Sequence, residues 1–145
     1  MGAINLNSIL ETHLETIKTK GGDVLHGLKK TDLGYEGFGE AYFSRIESGL
    51  IKAWKKHNSM TMNILVPLGE VRFVFYFINP DGTENFLVKD IGVSNYVRLT
   101  VPPGIWFGFK GISQSLSLVL NIASIPHEPN EVDRKNIDDI KFNWS

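Results

Sequence analysis

From Ile17 onward the apolar positions fall in short runs rich in Val, Ile, Phe and Tyr, separated by turn signals. The breaks are Gly21-Gly22-Asp23, the stretch Asp32 to Gly39, Ser48-Gly49, Asn58-Ser59, Asn79-Pro80-Asp81-Gly82, Pro102-Pro103-Gly104 and Gly111. Short strands punctuated at roughly 8–12 residues predict an all-β sandwich or barrel. The sharpest hairpin signal is Pro80-Asp81-Gly82, because Pro pre-sets φ and Gly permits a positive one. In the segment 71–78, alternation puts Val71, Phe73, Phe75 and Phe77 on one face. The other face, Arg72, Val74, Tyr76 and Ile78, is also largely apolar. A strand apolar on both faces is covered on both. The second cover is expected to be a partner subunit in a homodimer, or else the N-terminal arm. In 50–57 the same alternation groups Ile51, Ala53, Lys55 and His57 against Lys52, Trp54 and Lys56. Ile4, Leu6, Ile9 and Leu10 are poorly periodic, which leaves a short helix or an extended arm open at the start. The polar tail from Pro126 reads as a loop with a short docked end.

Composition narrows the class. A chain of 145 residues is one domain's worth, 1–145, and buries about two thirds of its unfolded surface. There is no Cys, which removes thiol redox chemistry and thiolate metal sites and fits a reducing compartment. Fifteen basic and sixteen acidic residues give a net charge of −1, not the electrostatic footprint of a nucleic-acid binder. No apolar run approaches the ~20 residues that span a bilayer. The first residues lack a basic stretch followed by an apolar one, so no secretory leader is expected. The expectation is a cytoplasmic protein that touches neither nucleic acid polymer nor membrane.

The most informative stretch is Gly49 to Gly69. Gly49 is followed by five residues, then Lys55-Lys56-His57, then after four residues Met62, and after six more Gly69. This spacing resembles the first cupin motif, Gly, five residues, His-x-His, a Glu and a closing Gly, with Lys55 and Met62 standing where two metal ligands belong. Pro102-Pro103-Gly104-Ile105-Trp106-Phe107 resembles the second motif, Pro-x-Gly-x-x-His, with Phe107 in place of the cavity His. The resemblance implies a cupin jelly-roll barrel. A mononuclear metal needs three or four ligands and His57 alone survives, so neither metal nor other cofactor is expected.

Within the cupins, Gly49-Leu-Ile-Lys-Ala-Trp54, Val101-Pro-Pro-Gly-Ile-Trp-Phe-Gly-Phe109, Asn136-Ile-Asp-Asp-Ile-Lys-Phe-Asn-Trp144 and, more loosely, Gly22-Asp23-Val24 resemble the dTDP-4-dehydrorhamnose 3,5-epimerase family. That family inverts carbons beside a ketone on a nucleotide-linked sugar. The chemistry needs a base, an acid on the opposite face and a cation near the enolate oxygen. The resemblance implies a His base polarised by an Asp, a Tyr acid, a Lys at the carbonyl and an Arg that grips the nucleotide. Position by position, the Arg becomes Lys52, the base Lys55 and the second-motif His Phe107. The carbonyl Lys falls near Met62, and Val119 to His127 contains no Tyr. The late Asp has no counterpart.

Lys55 and His57 are therefore the candidate catalytic pair, relocated from the family pattern. A Lys in an apolar pocket beside another cation has a lowered pKa, which suits a base. The alternative pairs Lys55 with an acid such as Glu40 at the barrel mouth. Candidate substrate-binding residues are Lys52, Glu40, Tyr42, Asn63, Phe107 and Asn121. Glu40, Tyr42 and Ser44 share a face of one strand, and Asn63 and Asn121 offer amides. Three readings follow. The first is a nucleotide-sugar epimerase or isomerase acting on a 4-keto-6-deoxy sugar in surface-polysaccharide synthesis. The second is a non-catalytic cupin that binds a sugar or nucleotide sugar. The third is a structural or partner-binding cupin whose cavity is filled by its own Phe side chains.

Overall fold

The computed structural model describes residues 3–145. A 3-10 turn at Leu6–Ser8 is followed by β1 (Leu10–His13), β2 (Thr16–Ile17), β3 (Val24–Leu25), β4 (Glu40–Ile46), β5 (Ile51–His57) and β6 (Met62–Leu68). Then come β7 (Glu70–Ile78), β8 (Glu84–Gly92), β9 (Val97–Val101), β10 (Trp106–Gly111), β11 (Ser117–Ala123) and β12 (Val132–Arg134). Two five-stranded antiparallel sheets, β1-β9-β6-β11-β4 and β12-β5-β10-β7-β8, form the expected jelly roll. The β7–β8 hairpin turns at Pro80-Asp81-Gly82. There the Asp81 carboxylate accepts from the Thr83 amide at 2.9 Å and Gly82 adopts φ 88°. No helix among the described residues is long and apolar enough to cross a membrane.

Between the sheets, Phe73 and Phe75 of β7 pack with Ile64 and Val66 of β6, Ile91 of β8 and Leu99 of β9, all buried. This face of β7 is the predicted one. Over β6 and β9 the first sheet's outer side is covered by the loop after β3, which a fully buried Arg98 pins down. Its guanidinium donates to the Gly27 carbonyl at 2.7 Å and the Leu33 carbonyl at 3.2 Å and lies 3.4 Å from Asp32.

The cover of Val74 and Tyr76 on the other face of β7 is not the N-terminal arm. The arm's strand β1 instead forms the edge of the other sheet, Leu10 opposite Thr100. Val74 and Tyr76 are covered by the chain's own C-terminal segment, which packs Ile140, Phe142 and Trp144 onto them together with Trp54. The Trp54 and Trp144 rings lie 5.4 Å apart, and Lys110 donates to the Trp144 carbonyl at 2.8 Å. The polar letters of the tail concealed these three apolar anchors.

A second departure lies in β5. Phe107 of β10 is opposite Lys55, but Gly108 is opposite Ala53, so Trp54 is an extra residue bulged out of the pairing. Gly108 permits the close approach, since a Cβ there would meet the Ala53 Cβ at 2.7 Å. After the bulge the alternation resumes out of phase. Lys52, opposite Phe109, thus joins Lys55, opposite Phe107, on the inner face, where simple alternation had separated them.

If the tail is the cover, Trp144→Ala opens a cavity over Val74 and lowers unfolding free energy by ~3–5 kcal/mol. Urea denaturation measures this, and an unchanged midpoint contradicts the assignment.

Candidate active site

One half of the space between the sheets is packed solid. The other half is a cavity of about 540 Å³, of a size suited to a small-molecule ligand. From the second sheet, Lys52, Lys55 and His57 of β5, Phe73 of β7 and Phe107 and Phe109 of β10 line it. From the first sheet, Tyr42 and Ser44 of β4, Met62 and Ile64 of β6 and Val119 and Asn121 of β11 form the opposite wall. The Phe side chains make a floor but do not fill the space, so a cavity plugged by its own aromatics is not what the sequence encodes.

His57 is 8% exposed and its Nδ1 pairs with Glu131 Oε1. The other carboxylate oxygen of Glu131 accepts from the backbone amides of Asn58, Ser59 and Met60 at 3.2, 3.0 and 3.1 Å. Burial pushes the Glu131 carboxyl up, but the hydrogen bonds from His57 and from the Ser59 and Met60 amides outweigh it and hold the group below the usual glutamate value. The carboxylate fixes the ring, whose plane stacks on Phe107 with centroids 6.0 Å apart. Nε2 has no hydrogen-bond partner among the described residues and is left to the cavity.

Facing it from the other sheet, Tyr42 accepts through its hydroxyl oxygen from Asn121 Nδ2 at 3.0 Å. The phenolic proton is thereby left for the cavity. Asn121 is 5% exposed and its Oδ1 has no partner among the described residues, an arrangement expected of a group that meets a ligand.

Lys55 lines the cavity without a carboxylate partner among the described residues. Arg134 of β12 is opposite it in the register, and Lys52 shares its face. Burial, then Arg134 and Lys52, pull its pKa below the ordinary lysine value of 10.5. Lys135, Asn136 and Asp139 complete the rim, with Asp139 accepting from the Asn136 amide at 2.9 Å.

Of the candidates from sequence, Lys52, Lys55, His57, Tyr42, Phe107 and Asn121 converge on this cavity. Glu40 and Asn63 do not. Glu40 lies at the start of β4, where it accepts from the His127 amide at 2.5 Å rather than pairing with Lys55. Asn63 sits between Met62 and Ile64, which line the cavity, so alternation turns it outward, where it donates to the Gly34 carbonyl at 2.9 Å and accepts from Arg98 at 3.2 Å. Sequence reasoning missed Glu131 and Arg134. The only available signal was their bracketing of Val132-Asp133 in a short, strand-compatible run after Pro129. Among the described residues no three His, Cys, Asp or Glu side chains cluster as a metal site.

Ionised Glu131 contributes stability that is fully present above its ordinary value of 4.5 and lost as pH falls through its lower native value. Glu131→Gln should cost ~1–3 kcal/mol near neutrality. The gap between wild type and variant should close on acidification in urea titrations at several pH values. A gap independent of pH contradicts an ionised Glu131.

No family model matches the chain. It is 28% identical over 116 residues to the spore coat polysaccharide biosynthesis protein SpsL of Bacillus subtilis, covering 76% of this chain and 77% of that protein. Its fold matches a dTDP-6-deoxy-D-glucose-3,5-epimerase of Legionella pneumophila solved with dTDP-4-keto-L-rhamnose, at a TM-score of 0.78 and 15% identity over 92% of this chain and 76% of that one. It also matches a dTDP sugar isomerase of Desulfovibrio desulfuricans, with a TM-score of 0.90 and 32% identity over 98% of this chain and 95% of the other. With both its sequence and its whole fold shared with that isomerase, the chain belongs to the dTDP-4-dehydrorhamnose 3,5-epimerase-like cupin family.

Proposed function

We propose that the chain is an isomerase or epimerase of a nucleotide-linked 4-keto-6-deoxy sugar in surface-polysaccharide synthesis. The observation that carries this is the His57–Glu131 pair, set across an aromatic-floored cavity from Tyr42. The names of the relatives, a dTDP sugar isomerase, a polysaccharide biosynthesis protein and an epimerase solved with dTDP-4-keto-L-rhamnose, support the substrate class. A ketone acidifies the hydrogens on the adjacent carbons. His57 Nε2 takes one of them, while Glu131 holds the Nδ1 proton and stabilises the imidazolium that forms. Tyr42, whose oxygen is already anchored by Asn121, delivers a proton from the other face. The cations Lys52, Arg134 and Lys135 at the rim suit the diphosphate of the ligand, and Phe107 and Phe109 offer apolar surface to the sugar ring. The family's His base is thus replaced by His57, two residues further along the strand, and its Asp by Glu131.

The protein is further expected to act as a homodimer. Phe43 of β4 and Leu68 of β6 are 61% and 56% exposed on the outer side of the first sheet. Exposed apolar side chains gathered on one face suit a subunit contact.

With a dTDP-4-keto-6-deoxyhexose in deuterated water, NMR should show deuterium entering a carbon adjacent to the ketone. His57→Asn should slow this by ~10²–10⁴-fold and Tyr42→Phe should also reduce it. Saturable binding without any exchange would instead indicate a binding protein. Light scattering should return twice the chain mass of 16.3 kDa; a single-chain mass contradicts the dimer.

A further inference from the structure

Lys55 has an unusual setting for a lysine. The acids near the cavity are committed elsewhere: Glu131 to His57 and three amides, Asp139 to the Asn136 amide, and Glu40 to the His127 amide. Like charges act on the Lys55 amine, although Asp139 also stands on the cavity rim. Arg134 faces it across the β5–β12 pairing, the bulge at Trp54 brings Lys52 onto its face, and Lys135 stands on the rim. Partial removal from water at the cavity wall, where the side chain is still exposed, and fixed like charges on two sides weaken the amine's hold on its proton. Burial, then Arg134 and Lys52, indeed draw its pKa down. An unpaired neutral primary amine is a nucleophile toward ketones.

Its position relative to the base matters equally. Lys55 and His57 are two residues apart on one strand and both line the cavity, so their Cα atoms are ~6.6 Å apart along β5. The two side chains can therefore converge on neighbouring atoms of one sugar ring, a carbonyl carbon and the carbon next to it. A cation serving only as an electrostatic partner of an enolate needs no such depletion of acids and no such clustering of positive neighbours.

We propose that Lys55 is a covalent catalyst, forming a transient imine with the ring ketone of the substrate. This rests on the reading of the cavity as a keto-sugar site. The amine nitrogen bonds to the carbonyl carbon and its proton passes to the ketone oxygen, giving a carbinolamine. Uptake of one proton from solvent and loss of one water give the protonated imine. The positive nitrogen acidifies the hydrogen on the adjacent carbon, His57 Nε2 accepts it, and the C–H electron pair moves into a neutral enamine. Return of a proton to that carbon regenerates the protonated imine. Addition of one water then releases the ketone, the free amine and the proton taken up. The water lost is returned, and no oxidant or reductant takes part.

Reductive trapping tests the step. The full-length protein, a dTDP-4-keto-6-deoxyhexose and sodium cyanoborohydride should give one adduct, with a mass gain equal to the sugar nucleotide less one oxygen atom. Peptide mapping should place it on Lys55, and excess dTDP should block it. Lys55→Arg keeps a basic side chain of similar reach but cannot form the imine, and should lose deuterium exchange by ~100-fold or more. Exchange that proceeds with no adduct, an adduct scattered over surface lysines, or exchange undiminished in Lys55→Arg each overturns the imine while leaving the proposed function standing. Absence of both exchange and binding overturns both.

Discussion

Strand β5 passes Gly108 carrying one residue more than β10 can pair, and Trp54 is that residue. Its backbone is instead paired with Lys135, amide to carbonyl in both directions at 3.1 Å, and its indole donates to the Ile137 carbonyl at 3.1 Å. The ring is then buried against Ile140 and Trp144. An indole burying this much apolar surface, with its one donor satisfied, is a strong anchor. The tail it holds supplies β12, which runs along β5 with Val132 opposite His57 and Arg134 opposite Lys55. Glu131 reaches the His57 ring only because β12 lies there. The same skipped residue turns Lys52 inward. Packing on the outer face of the sheet thus sets the chemistry on the inner face.

The cavity combines three environments that each need the others. The floor of Phe73, Phe107 and Phe109 gives the cavity an apolar surface. The rim carries Lys52, Arg134 and Lys135, and burial, then Arg134 and Lys52, draw the pKa of Lys55 down. Glu131, the single buried acid among the described residues, is stabilised by three consecutive backbone amides in the tight turn after β5, so it can stay ionised beside His57 without a cation of its own. Across the cavity, the Asn121–Tyr42 contact orients a phenol from the other sheet. His57 and Tyr42, on two different sheets, face one cavity from two sides, which is the geometry that the proposed transfer of a proton across a ring needs.

Much of this was legible beforehand where local rules apply. Alternation in 71–78 identified the inward Phe face, Pro80-Asp81-Gly82 marked its hairpin, and the cupin spacing pointed to Lys55 and His57 as cavity residues. Tyr42 followed from period two in β4. The same rule, applied without a bulge, misassigned Lys52 to the face of Trp54; a one-residue slip inverts every side chain beyond it. Asn63 failed as a site residue because its neighbours Met62 and Ile64 already occupy the inner face. Glu131 and Arg134 were invisible for a different reason. Glu131 meets His57 across 74 positions of sequence, through a tail whose charged letters resemble a solvated end and whose docking depends on Ile140, Phe142 and Trp144 scattered among polar residues. The cover of Val74 and Tyr76 was missed on the same account, since no periodicity links those anchors.

The claim on which all of this turns is that one sugar ring lies between His57 and Tyr42. A crystal structure of the protein with a bound dTDP-linked 4-keto-6-deoxyhexose tests it directly. The account predicts the hexose in the cavity, with a carbon adjacent to its ketone within reach of His57 Nε2, the Tyr42 oxygen on the opposite face of the ring, and the diphosphate toward Lys52 and Arg134. A nucleotide sugar bound elsewhere on the surface, with this cavity empty, would contradict it.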